Sequence, residues 1–193
     1  MSKQAELIAK LTDKELLLNL YVTQIAMLGI AILLSWLLGN PLLPFDYFYF
    51  HINHLLIGLI FGVIIVLIEV FLYQKLPRSW FDDGGINERI FSNRHPVHIG
   101  VLSLLVASSE EILFRGLLQS QFGIWVASFL FAVIHFRYLT NKFLLLFTVV
   151  LSFSLGALFL FTENLLTVIV AHFVIDFLLG LFIRLKNGKE HYE

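Results

Sequence analysis

Long apolar runs, rather than alternating or amphipathic stretches, dominate the chain. Leu16 to Leu38 carries no charged residue over 23 positions, at or above the roughly 20 needed to cross the hydrocarbon of a bilayer. His51 to Tyr73 carries only Glu69 among Asp, Glu, Lys and Arg, near the end. Pro96 to about Gln119 is interrupted by Glu110, Glu111 and Arg115. Phe122 to Phe136 is short, about 22 Å as a helix, and is predicted to begin inside the bilayer. Phe143 to Phe161 has no charge, and Leu165 to Ile183 holds only His172 and Asp176 among its ionisable residues. Backbone groups facing lipid must be satisfied within their own segment. Runs of this length do that as helices, not as the shorter strands of a barrel. The pattern predicts an all-α, polytopic membrane helix bundle of about six transmembrane helices.

Charge tests this division independently. With the amino terminus placed in the cytoplasm and six spans threaded, 12 of the 13 Lys and Arg residues fall on one side. They are Lys3, Lys10 and Lys14, then Lys75, Arg78, Arg89 and Arg94, then Arg137 and Lys142, then Arg184, Lys186 and Lys189. The loops on the other side hold none, and Arg115 lies within a span. A miscounted span would destroy this bias, which follows the positive-inside rule and puts both termini in the cytoplasm. The first apolar run exceeds the 7–15 residues of a signal-peptide core and is expected to stay as an anchor. Ser2 to Lys14 reads as a polar helical lead-in with a Glu6–Lys10 pair. Gln74 to His95 reads as a cytoplasmic loop with a turn at Asp82-Asp83-Gly84-Gly85. Gly58 and Gly62 form a small-xxx-small pair suited to close helix approach.

Composition agrees: 59% of residues are hydrophobic and 14% charged, against about 25% charged in soluble domains. The absence of cysteine removes a disulfide framework, a thiol nucleophile and a thiolate metal site. Function therefore rests on the polar groups within the membrane. A charge at mid-span costs roughly 2.5–3.5 kcal/mol on insertion scales, so a cluster needs a reason. Glu111 and Arg115 are i,i+4 neighbours and can pair, while Glu110 points about 100° away and lacks that partner. His135 closes the short fourth span, one turn after Phe131. His172 and Asp176 stand i,i+4 on the last. Two histidines and two acids on three helices point to an active or ion-handling site. His51, His54, His95 and His98 flank spans at the interface, His191 lies in the tail, and Glu69 is within snorkelling reach of the cytoplasm.

Three segments carry a resemblance. Glu110-Glu111-Ile112-Leu113-Phe114-Arg115, Phe131-Ala132-Val133-Ile134-His135 and His172-Phe173-Val174-Ile175-Asp176 resemble, in order, the EExxxR, FxxxH and HxxxN/D motifs of the CPBP family. That family holds the type II CaaX prenyl proteases and the bacteriocin-processing and self-immunity (Abi) proteins. The resemblance implies a four-helix catalytic core over residues 96–185. It leaves 1–95 as a variable part with two transmembrane helices and a cytoplasmic loop, and 186–193 as a cytoplasmic tail.

The resemblance also implies chemistry. Glu110, helped by His135, would activate water, and His172 with Asp176 would stabilise the oxyanion. Glu111, Arg115 and Phe131 would support the site. Asparagine is common where Asp176 stands. Aspartate there donates only when protonated, and otherwise orients His172 or binds a metal. No cofactor is favoured; a zinc version would use Glu110, His135 and His172 as ligands and Glu111 as base. HExxH, GxGD and GxSxG, the marks of other intramembrane proteases, are absent. The rival from another class is a proton-coupled transporter, against which stands the lack of an inverted repeat; a third reading is a non-catalytic immunity or scaffold protein. The expected partners are the lipid bilayer and a membrane-embedded or lipidated peptide or protein, with no nucleic acid. The compact size suggests a bacterial plasma membrane.

Overall fold

The computed structural model describes residues 11–40, 43–138 and 140–190. The expected Glu6–Lys10 pair, the loop residue Lys3 and His191 lie outside them. Helix α1 (Asp13–Leu37) starts where Thr12 and Glu15 cap it reciprocally: Thr12 accepts from the Glu15 amide, and Glu15 accepts from the Thr12 amide at 2.7 Å. Then come α2 (Ile52–Lys75), the short α3 (Ile86–Phe91), α4 (Pro96–Glu111), a π-helical segment (Ile112–Gln119), α5 (Ser120–Ile134), α6 (Lys142–Thr162) and α7 (Leu165–Glu190). No strand occurs among the described residues.

Five helical stretches are long and apolar enough to cross a membrane, the third running from Pro96 to Ile134. That third stretch is not straight. Gly123, at φ 82° and ψ 168°, breaks it with a backbone conformation that glycine adopts without steric cost. The chain folds back there, so that the Phe131 ring packs 5.0 Å from the Phe114 ring. The fold-back turns five stretches into the six apolar limbs read from the sequence. The turn also sits below the outer end of α6, because Gln119 donates to Gly156 at 2.7 Å, six residues before Thr162, or about 9 Å along the helix.

The bundle is apolar outside and polar inside. Ile25, Ile32, Ile64, Leu67, Leu104, Trp125, Leu146 and Phe161 are exposed, while Gln24, Ser109, Glu110, Glu111, Arg115, Gln119, Ser152, Asn164 and His172 are buried. Such a surface requires lipid as its solvent. Gly58 and Gly62 meet α7: a Cβ on Gly58 would overlap the Thr167 carbonyl, and one on Gly62 would lie 2.7 Å from the Ala171 oxygen. This contact fixes α7 at the residue before His172.

The long loop between α2 and α4 is more ordered than a polar linker. Asp82 accepts from the Gly84 amide at 2.8 Å, and both Gly84 and Gly85 have positive φ, which confirms the turn. Asp83 then caps α3 through the amides of Ile86 and Asn87. Ile86 and Ile90 bury themselves against Leu102, with Leu17, Leu20 and Tyr21 of α1 packed alongside. Arg89 pairs with Asp13 at 2.8 Å. The loop therefore clamps α1 to α4.

Candidate active site

Glu110 and Glu111 are the last residues of α4, where the hydrogen-bond ladder gives way to the wider π turn. Such segments recur at functional sites because they re-aim side chains on either side. The two acids are employed differently. Glu111 is fully buried, and its Oε1 accepts from Arg115 Nη1 at 3.0 Å and from His172 Nδ1 at 2.7 Å. Arg115 sends Nη2 to the Ser152 carbonyl at 2.9 Å and to Ser152 Oγ at 3.1 Å. Glu110 is only 6% exposed, yet no hydrogen bond joins it to any described residue. It lies within electrostatic range of His172, Arg115 and Arg137.

Phe131 gathers the motifs. Its ring centroid is 4.8 Å from the Arg115 guanidinium carbon, 4.5 Å from the His135 ring and 6.5 Å from the His172 ring. One aromatic side chain therefore touches or neighbours a member of each motif, and the fold-back at Gly123 brings it there. His135 ends α5 with its Nδ1 2.8 Å from the Phe131 carbonyl. A carbonyl only accepts, so Nδ1 carries the proton, and in the neutral ring Nε2 keeps its lone pair.

On α7, His172 donates Nδ1–H to Glu111 and turns Nε2 toward Asp176, 3.5 Å from Oδ2. Asp176 is 28% exposed at its side chain, one turn further along α7 than His172. Glu69 is half-buried. It lies one turn after the buried Val66 on α2, and Asp176 is within its electrostatic range.

Several site residues carried no signal of their own. Arg115 and Gln119, i,i+4 on the π segment, reach two rungs of α6 that are also i,i+4, Ser152 and Gly156. Small residues at that spacing in a charge-free span were the available clue. The Ser109 hydroxyl meets Gln24 of α1, which ties the first helix to the site. Past His135, a tight turn puts the Tyr138 ring 5.9 Å from the His135 ring, and Arg137 Nη2 donates to Tyr138 Oη at 2.6 Å. Burial pushes the Tyr138 phenol up, so it stays a neutral hydroxyl.

Residues 93–178 match the Type II CAAX prenyl endopeptidase Rce1-like family. That stretch contains every motif residue just described. A Bacillus subtilis (strain 168) protein, "Uncharacterized protein YpbD", is 42% identical over 141 residues, which covers 70% of this chain and 75% of that protein. The chain belongs to the Rce1-like family. This is a family of CAAX-type intramembrane proteases, and the Rce1-like chain is a multi-pass membrane protein of it. No solved structure matches it.

The zinc version can be tested against the donor set. It needs Glu110, His135 and His172 to converge and Glu111 to be free. Among the described residues no three His, Asp or Glu side chains gather closely enough to hold one ion. Glu111 is taken by Arg115 and His172, so it is not available as a base. The donors as arranged do not fit a three-ligand zinc site.

Proposed function

We propose that this Rce1-like chain is an intramembrane endopeptidase of the glutamic type, hydrolysing a peptide bond in a membrane-embedded or lipidated peptide or protein at a bacterial plasma membrane. The observation that carries this reading is the unequal employment of the paired acids. Glu111 is committed to Arg115 and His172, whereas Glu110 is buried, unbonded and beside the same cluster.

Glu110 takes a proton from water held between it and His135, whose free Nε2 orients that water. The water oxygen attacks the scissile carbonyl. His172, with both nitrogens protonated and backed by Glu111, donates from Nε2 to the developing oxyanion. Asp176 keeps the imidazole facing the carbonyl. Glu110 then returns its proton to the leaving amine, so the base of the first step is the acid of the second. Arg115 and Phe131 hold Glu111 and the two histidines in register.

The test is hydrolysis of an S-prenylated, internally quenched peptide by the purified chain in proteoliposomes. Glu110→Gln should lower the rate by roughly 10²–10⁴-fold, the usual weight of general acid–base catalysis. Proton or solute movement that depends on Glu110, with no cleavage of any membrane peptide, would favour a transporter instead.

A further inference from the structure

A groove of about 660 Å³ opens where α6 begins beside the loop between α2 and α4, at the end of the bundle that carries the basic loops. None of the residues lining it belongs to the three motifs. Asn141 builds its seam. The Asn141 Oδ1 caps α6 by accepting from the amides of Phe143 and Leu144. Its Nδ2 faces the carbonyls of Ser79, Trp80 and Asp82 at 3.3, 3.0 and 3.1 Å. The loop is thereby laid against the first turn of α6, and the Trp80 ring packs 5.3 Å from the Phe143 ring across the join.

The lining is divided by chemistry. Trp80 and Phe143 make an aromatic floor, and Leu146, one turn after Lys142 and exposed, continues it into the apolar surface that requires lipid. Two opposite charges, Lys142 and Asp82, line the same groove. They share it without pairing: among the described residues neither takes part in a salt bridge. Asp82 gives Oδ1 to the Gly84 amide, which leaves Oδ2. Aromatic residues and lysines at a membrane boundary are ordinary belt residues, and a basic pocket there takes an anionic headgroup. Asp82 breaks both patterns, because a carboxylate beside the lysine disfavours a net-negative ligand. A ligand that satisfies both charges carries a phosphate and an ammonium a few bonds apart, with an apolar tail. An ammonium that keeps its N–H groups can donate to a carboxylate and a hydroxyl, which a trimethylated one cannot.

We propose that this groove binds the headgroup of a zwitterionic glycerophospholipid with a primary ammonium, of the phosphatidylethanolamine type. Lys142 and the Thr140 hydroxyl receive the phosphate, Asp82 and the Ser79 hydroxyl receive the ammonium, and the acyl chains leave over Leu146. The bound lipid bridges the loop and α6 across the join that Asn141 closes. The site is independent of peptide hydrolysis and stands whether or not the chain cuts a given substrate.

Trp80 is the reporter. The full chain with Trp36→Phe and Trp125→Phe, both exposed positions, keeps it as the sole tryptophan. The chain is placed in phosphatidylcholine nanodiscs holding a minor fraction of either phosphatidylethanolamine or phosphatidylcholine brominated on its acyl chains, and quenching of Trp80 reads lipid contact. At equal mole fraction the brominated ethanolamine lipid should associate roughly 3–10-fold more strongly, the range of two solvent-accessible ion contacts. Asp82→Asn keeps the acceptor for the Gly84 amide and removes the charge, so it should abolish the preference. Lys142→Gln, at an exposed position, should lower quenching by the ethanolamine lipid toward that of the bulk lipid. Equal quenching by the two lipids would leave an ordinary aromatic belt and overturn the proposal. A preference that survives Asp82→Asn combined with Lys142→Gln would do the same. Stronger quenching by brominated phosphatidylglycerol would assign the groove to anionic lipid and overturn it too. Relief of quenching by equimolar soluble glycerophosphoethanolamine would make a soluble ester the ligand and overturn the lipid.

Discussion

His172 Nδ1 and Arg115 Nη1 converge on one oxygen of Glu111, at 2.7 and 3.0 Å, and Glu111 Oε2 has no partner. Glu111 is the joint between the first and third motifs. Removing it leaves a buried guanidinium and a histidine without their anion. Glu111→Gln should destabilise the chain by about 3–5 kcal/mol, the usual cost of breaking a buried pair from one side. Thermal unfolding in detergent measures this, and Glu111→Gln with Arg115→Met should regain much of the loss without regaining activity. An unchanged melting curve for the single variant would remove Glu111 from this role.

Glu110 should behave in the opposite way. It has no bonded partner, and burying a charge is costly, so Glu110→Gln should melt no lower than the unmodified chain while losing catalysis. A joint loss of stability and rate would mean that the residue is a packing group.

Much of this contrast was visible in the residues themselves. Lipid forces ionisable groups inward, so every charge inside an apolar run stands out, and Glu110, Glu111, Arg115, His172 and Asp176 were found that way. The pairing of Glu111 with Arg115 followed from helical spacing, and the close approach at Gly58 and Gly62 from their size. Gly156 stayed hidden because it contributes a backbone carbonyl, which has no side-chain signature, and Ser152 because it adds to its carbonyl only a hydroxyl that reads as ordinary helix packing. The hairpin was legible as the break between the runs ending near Gln119 and starting at Phe122, but the residue that makes it, Gly123, was not, since one glycine beside an apolar run looks like packing. Arg137 was counted as a loop charge. Its relation to Glu110 exists only after the chain folds back.

The role of Asp176 separates two chemistries. At 3.5 Å from His172 Nε2 it orients the ring rather than binding it tightly. Asp176→Asn should keep at least about a tenth of the hydrolytic rate, because an amide can hold or supplement the same donor. Purified chain should contain less than stoichiometric zinc by mass spectrometry and keep its activity in a strong chelator. Loss on chelation and recovery on adding zinc would require a metal mechanism instead.

Helix α2 should be intolerant of bulk at its contact with α7. Gly62→Val places methyl groups where a Cβ already meets the Ala171 carbonyl at 2.7 Å. The cost should be about 1–3 kcal/mol, as for other overpacked sites, with a drop in activity because α7 carries His172. Gly29, whose Cβ would meet nothing within 4 Å, is the control and should accept valine with little change.

The chain lacks cysteine, so single cysteines report topology without background. Probes at Asp46, Gln121 and Glu163 should react from outside, and those at Arg89, Lys142 and Lys189 only after permeabilisation. Cytoplasmic reactivity at Glu163 would reverse the helix bearing His172 and refute the six-limb arrangement.

The order of the helices bears on biogenesis. Glu110, Glu111 and Arg115 leave the ribosome on α4, but His172 arrives on α7, the last helix made. Arg115 is compensated at once by its own helix, and Ser152 follows with α6. Until α7 docks on Gly58 and Gly62, Glu111 lacks one of its two donors, and Glu110 lacks the cationic partner that His172 supplies. A nascent chain stopped before Leu165 is thus a membrane protein carrying an open polar wound. It should be held at the insertion machinery or degraded rather than released, and the enzyme should exist either whole or not at all.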